Sequence, residues 1–257
     1  MSSMERGRMK MRTKKMKTKK MRTVVLLMVL GISFSLYGQE KKKVDTDQHK
    51  QHKAIQLDRY KKAIDNFRYF DNRNTWAKNP ILFVGSSSIV HWETSLAFPE
   101  FPIINRGFGG ASLPEISYYY DEVIKKYSPS ILVLYCDIDI ENGKSPSETV
   151  SLFKALVSKV KKDFPKIEVI LLSMKPTLID DFLGKDVREN KRLTNTKLFE
   201  YCKKQKNLHF VDITKSMLNS EMGLRSDIFL ADGMHLNALG YTLWNPIIRK
   251  VLDGLTK

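Results

Sequence analysis

Short apolar runs punctuate the chain at Ile81–Gly85 (ILFVG), Pro102–Asn105 (PIIN), Ile131–Cys136 (ILVLYC), Ile167–Ser173 (IEVILLS) and Leu208–Asp212 (LHFVD). Each is nearly continuous in apolar residues rather than alternating, which is the pattern of strands buried on both faces. Between these runs the apolar positions recur at helical spacing. The clearest stretch is about 147–163, where Val150, Phe153, Leu156, Val157 and Val160 fall on one side. Further helices are predicted over about 54–69, 113–127, 187–205 and 236–254. Strand and helix alternate, which predicts an α/β fold: one three-layer α/β/α domain over residues 54–257, doubly wound about a five-stranded parallel sheet. Binding sites in such sheets form beyond the carboxyl ends of the strands, so the segments that follow the strands hold the candidate chemistry.

The first fifty residues follow neither period. Residues 1–22 carry ten Lys/Arg against the single acid Glu5, and residues 23–38 (TVVLLMVLGISFSLYG) are apolar. Basic, apolar, small and then polar is the order of a secretory signal, and a transmembrane helix usually needs about 20 apolar residues. Residues 1–38 therefore read as a signal peptide with cleavage near Gly38–Gln39, and the protein as exported to the periplasm or secreted, with no stable membrane span after cleavage. The alternative is a membrane anchor formed by residues 23–38. Residues 39–53 (QEKKKVDTDQHKQHK) contain one apolar residue, Val44, and read as a flexible polar spacer; His49 and His52 within it are assigned no metal.

Composition removes several function classes. With 13 Gly, 9 Pro and 2 Cys in 257 residues the chain is neither low-complexity nor a disulfide scaffold. Its net charge of +16 invites a nucleic-acid reading, but +9 of it lies in residues 1–22, and the remaining +7 is spread over lysine-rich helix faces without interleaved aromatics. No nucleic-acid partner is expected.

The strand ends carry a different chemistry. Gly85-Ser86-Ser87-Ser88 follows the first run, Asn105-Arg106-Gly107-Phe108-Gly109-Gly110 the second, Cys136-Asp137-Ile138-Asp139 the third, and Asp232-Gly233-Met234-His235 comes after the fifth. A serine in a tight turn after a buried strand is exposed at the sheet edge beside the free N–H groups of the next helix. To attack an acyl carbon it needs a base and donors for the oxyanion. His235 can be that base, with Asp232 three residues earlier accepting from its ring N–H, and the glycine loop can bring bare N–H groups to a substrate oxygen. Individually, these motifs also occur as helix caps and surface turns; their joint arrival at strand ends favours catalysis. His91, four residues after Ser87, is a rival base, expected to sit on the same helix and point away along it.

With these blocks in view, residues 60–252 resemble the SGNH (GDSL-like) esterases and acylhydrolases, through ILFVGSSSIVHW (81–92), INRGFGGAS (104–112), LVLYCDIDIENGKSP (132–146), LSMKPT (172–177) and DGMHLNALGYTLW (232–244). The Gly-Ser-Ser-Ser-Ile form matches one bacterial branch of that family. The resemblance implies a flavodoxin-like sandwich and ester hydrolysis with neither metal nor cofactor. It puts the nucleophile on Ser87, with Ser86 where the family has Asp, the triad partners on Asp232 and His235, and the oxyanion donors on the N–H groups of Ser87 and Gly110. For an exported enzyme of this kind the expected substrate is a small molecule, an acylated carbohydrate or a lipid ester. In the third block the family has an oxyanion Asn where this chain has Ile138, which has no donor. Reduced activity follows, or, as the alternative, an impaired protein that only binds carbohydrate. Asn142, Lys175 and Trp92 are expected near the substrate rim, and Cys136 and Cys202 as small core residues for which a disulfide is open.

Overall fold

The computed structural model describes residues 59–256. The expected signal peptide and spacer lie outside the described residues. A helix over 59–71 (α1) precedes β1 (Ile81–Gly85), which runs into the single turn α2 (Ser87–Val90), then α3 (Thr94–Ala97) and β2 (Ile103–Gly107). The chain continues through α4 (Leu113–Tyr118), α5 (Tyr120–Val123), β3 (Ile131–Tyr135), α6 (Ile138–Glu141), α7 (Pro146–Asp163) and β4 (Glu168–Leu172). It ends with α8 (Asp180–Leu183), α9 (Val187–Cys202), β5 (Leu208–Val211) and α10 (Ala238–Leu255). The strands form one parallel sheet in the order β2-β1-β3-β4-β5, so the α/β expectation holds.

The apolar runs become strands because both of their faces are covered. Ile81, Phe83, Ile131, Val133, Tyr135, Ile170 and Leu172 pack into a core with Trp244, Ile248 and Leu252 of α10. The alternate residues, Leu82, Val84, Leu132, Leu134, Val169 and Leu171, point to the opposite face and are equally buried. On that side α7 packs against α4 and α9. Helix α7 starts where Ser145 and Glu148 form a capping box around Pro146, and it closes with Lys161 and Lys162 against the C-terminal dipole. Among the described residues no helix is long and apolar enough to cross a membrane.

Two elements depart from the sequence pattern. The helix expected over 113–127 breaks at Tyr119 and Ile124. Tyr119 and Tyr120 are both buried, one edge-on to Phe108 and the other hydrogen-bonded to Asp163, and packing outweighs the weak helix preference of consecutive aromatics. The second strand reaches Gly107 rather than stopping at Asn105, because Arg106 and Gly107 pair in register with Val84 and Gly85.

Candidate active site

Register brings the ends of the first three strands level: Gly85 lies opposite Gly107 of β2 and Tyr135 of β3. The strands approach so closely there that a Cβ on Gly85 would come 2.1 Å from the Tyr135 carbonyl oxygen, so no other residue fits. The chain then turns through extended Ser86 directly into α2, with Ser87 as its first residue. The N–H groups of a first helical turn have no intrahelical acceptor, so the Ser87 N–H is available to a substrate oxygen. Asn105 anchors the other end of this turn. Its side-chain amide donates to the carbonyls of Ile89 (2.7 Å) and Trp92 (3.1 Å), and its carbonyl oxygen accepts from Gly107 N–H (2.9 Å).

His235 reaches Ser87 from the far end of the chain. The loop that carries it is closed by Leu230 N–H donating to the His235 carbonyl (2.8 Å) and by Leu178 N–H donating to the Gly233 carbonyl (2.9 Å). Asn237 ties the loop to α10: its side chain caps Gly240 N–H (3.1 Å) and donates to the carbonyls of Asp227 and Phe229. So held, His235 Nε2 lies 2.9 Å from Ser87 Oγ, and Nδ1 lies 2.7 Å from Asp232 Oδ2. The other oxygen of Asp232 accepts from the N–H groups of Met234 and His235, both at 2.9 Å. Partial burial works against the charged carboxylate, but these hydrogen bonds outweigh it and hold its pKa at about 2. Asp232 is therefore ionised wherever His235 could act as a base.

The glycine loop closes the other side of Ser87. A Cβ built on Gly109 would stand 4.0 Å from that of Ser87, and Gly110 takes a left-handed φ of 76°, with its carbonyl accepting from Tyr60 OH (2.6 Å). Asp139 fixes the exit of this loop by accepting from Leu113 N–H (2.8 Å). Ile138 is the first residue of α6 and half-buried. Asn142 lies exposed at the end of the same turn, where its N–H donates to the Ile138 carbonyl (2.8 Å).

Several expectations need correction. Lys175 does not stand at a rim: it is 2% exposed, with Nζ 3.4 Å from Asp137 Oδ2. Trp92 is buried in an aromatic cluster with Phe83, Phe98, Tyr241 and Trp244, its N–H satisfied by Asn245 Oδ1 at 2.9 Å, so it packs beneath the surface and contributes only to the floor of a cleft beside His91. His91 does not point away from the site. Helix α2 is one turn long, so His91 caps its end and places its ring 5.0 Å from that of His235, edge to face. Burial and the neighbouring His235 lower its pKa. Cys136 and Cys202 are buried free thiols.

Sequence reasoning missed the buried charges behind the nucleophile turn. Asp137 accepts from Tyr135 OH (2.6 Å) and from Ser86 Oγ (3.4 Å), beside Lys175 and with Lys191 Nζ at 3.9 Å. Lys191 also donates to Glu141 (2.7 Å) and Asp180 (2.8 Å), and Asp180 accepts from both the hydroxyl and the N–H of Thr177. Burial by itself raises the pKa of Asp137, but the two ammonium groups overcome it and hold the carboxyl below its ordinary range. Glu141 shifts upward through burial and the Asp137 charge. The one signal in the sequence was Lys191 itself, which shares a helical stripe with Val187, Thr194, Leu198 and Cys202. Among the described residues no group of His, Cys, Asp and Glu is placed to hold a metal ion.

No family model matches the chain, and no curated protein matches it significantly. Solved structures do match. One is a Bacteroides fragilis protein provisionally assigned as an acylhydrolase (23% identity, 78% of this chain and 97% of that one, TM-score 0.64). Another is a GDSL-like lipase from Bacteroides thetaiotaomicron (19% identity, 74% and 97%, TM-score 0.64). A third is a carbohydrate esterase of family 3 from Talaromyces cellulolyticus (14% identity, 68% and 97%, TM-score 0.54). Strand order, helix layers and these superpositions agree that the chain has the fold of the SGNH and GDSL-like hydrolases.

Proposed function

We propose that the chain is an exported serine esterase of the SGNH type, acting on an acylated carbohydrate or a lipid ester. The observation that carries this reading is the hydrogen-bonded chain Asp232–His235–Ser87, at 2.7 and 2.9 Å, assembled from a helix start and a loop, with Ser87 and His235 148 positions apart in sequence. A structural role would not require a serine, an imidazole and a carboxylate in that order at an exposed sheet edge. Ser87 Oγ attacks the ester carbonyl while its proton passes to His235 Nε2. The oxyanion is received by the N–H groups of Ser87 and Gly110. His235 then returns the proton to the leaving alcohol oxygen, the carbon–oxygen bond breaks, and an acyl-serine remains. Water, deprotonated by His235, attacks the acyl-serine and releases the acid. Asp232 keeps the imidazole in the required tautomer and stabilises its charged form.

Solved structures of this fold include an acetyl-xylooligosaccharide esterase as well as a GDSL-like lipase, which supports both substrate classes. Export rests on residues 1–38 alone. A second reading, an impaired member that binds carbohydrate, rests on Ile138, which offers no side-chain donor to the oxyanion. Hydrolysis of a short-chain p-nitrophenyl ester separates the two. The chain is expected to turn it over, and Ser87→Ala to lose about 10⁴-fold or more. Equal background rates in both folded proteins would reject the esterase and favour the binding protein.

A further inference from the structure

On the His235 side of Ser87 a cleft of about 450 Å³ opens between the α2–α3 segment and the start of α10. Its walls include His91, Leu96, Leu230, Leu236, Tyr241 and Thr242. Several of the polar groups that reach it are already engaged inside the protein. Trp92 Nε1 donates to Asn245 Oδ1 (2.9 Å), Tyr241 OH to the Ser88 carbonyl (2.9 Å), and Thr242 Oγ1 to the Leu239 carbonyl (2.7 Å). What remains for a ligand is largely hydrocarbon. Glu93 is the one carboxylate on the wall and no Lys or Arg lines it, which disfavours an anionic ligand. Two of the lining side chains are exposed and apolar, Leu96 (76% exposed) and Leu230 (45%), and Val90 (45%) and Leu239 (44%), the sequence neighbours of the lining residues His91 and Ala238, are exposed as well. A soluble domain rarely leaves such a group together without an apolar occupant.

The cleft adjoins the candidate triad through His91, which belongs to its wall and packs on the ring of His235. In ester hydrolysis His235 delivers its proton to the leaving oxygen, so that oxygen lies beside Nε2 and its substituent extends on the His235 side. The glycine loop, which receives the oxyanion, lies against Ser87 elsewhere. We infer that this cleft is the leaving-group subsite and that it takes an uncharged hydrocarbon alcohol, which makes the substrate an ester of an apolar alcohol. The inference rests on the esterase reading.

The test is an alcohol-chain series at constant acyl group, methyl, butyl and hexyl acetate, with the full chain. Each methylene that enters an apolar site raises kcat/KM about fourfold when fully buried. The ratio of hexyl to methyl acetate should therefore rise by about tenfold or more even with partial burial. Leu96→Asp places a charge at the mouth and Thr242→Phe fills the cleft; both positions are exposed, and each variant should cut that ratio at least about fivefold. Ser87-dependent turnover of methyl acetate with a flat alcohol series would overturn the subsite and leave the esterase standing. So would a rising series that neither variant changes. In a matched acyl series of methyl acetate, butanoate and hexanoate, a rise that Leu96→Asp abolishes, beside a flat alcohol series, would overturn the assignment to the leaving group. Absence of Ser87-dependent turnover on every ester would overturn both readings.

Discussion

Replacing Lys191 with methionine removes a buried charge while keeping the length of the side chain. The ammonium is 2% exposed and touches Glu141 at 2.7 Å and Asp180 at 2.8 Å, with Asp137 at 3.9 Å. After the substitution three buried carboxylates share one ammonium, Lys175, which faces only Asp137. Removing one partner of a buried pair typically costs about 3–5 kcal/mol, because the charge left behind has neither water nor a partner. For a domain of this size that corresponds to a fall in Tm of roughly 6–20 °C. The exposed pair Arg192–Glu189, at 2.6 Å, gives the control: Arg192→Met should cost about 1 kcal/mol or less. Urea and thermal unfolding at pH 7 measure both. The pKa of Lys191 is raised because its three carboxylates outweigh burial, so its contribution is complete at neutral pH and is lost only as pH rises through that raised value. The variant has the opposite acid response. Glu141, already shifted upward, should take up a proton on folding, so the difference from the unmodified protein should narrow from pH 8 to pH 5. A loss at pH 7 no larger than that of Arg192→Met, or a difference independent of pH, would refute the assignment of this cluster as a charged, solvent-excluded network.

Two further outcomes bear on the site. Ile138→Asn should raise kcat by about tenfold or more, toward the 10²–10³ that one missing oxyanion donor costs; an unchanged rate in a folded variant would show that this side chain does not reach the oxyanion. Asp232, held at about 2 against about 3.9 in an unfolded chain, contributes stability that is complete above about pH 4 and lost as pH falls through about 2. The urea midpoint of Asp232→Asn should therefore lie below that of the unmodified protein from pH 5 to 7 and converge with it toward pH 2, and a constant offset would contradict the shift.

What the amino-acid order determined by itself is what short-range chemistry encodes. The continuous apolar runs named the strands to within two residues at most ends, because burial on both faces leaves no alternation to misread. Ser87, Asp232 and His235 stood out because a strand–turn–helix serine and an Asp three residues before a His are local patterns. Only the tertiary structure decided which distant segments meet. The sheet order brings the His235 loop onto Ser87, and the shortness of α2 turns His91 back onto His235. The buried charges were illegible for the same reason. Whether a lysine is a solvated rim residue or an interior cation depends on carboxylates supplied by other elements, here Asp137 at the end of β3, Glu141 in α6 and Asp180 in α8 around Lys175 and Lys191. A charge enters the interior only where partners repay its lost hydration, and the positions of partners belong to the fold rather than to the neighbouring residues.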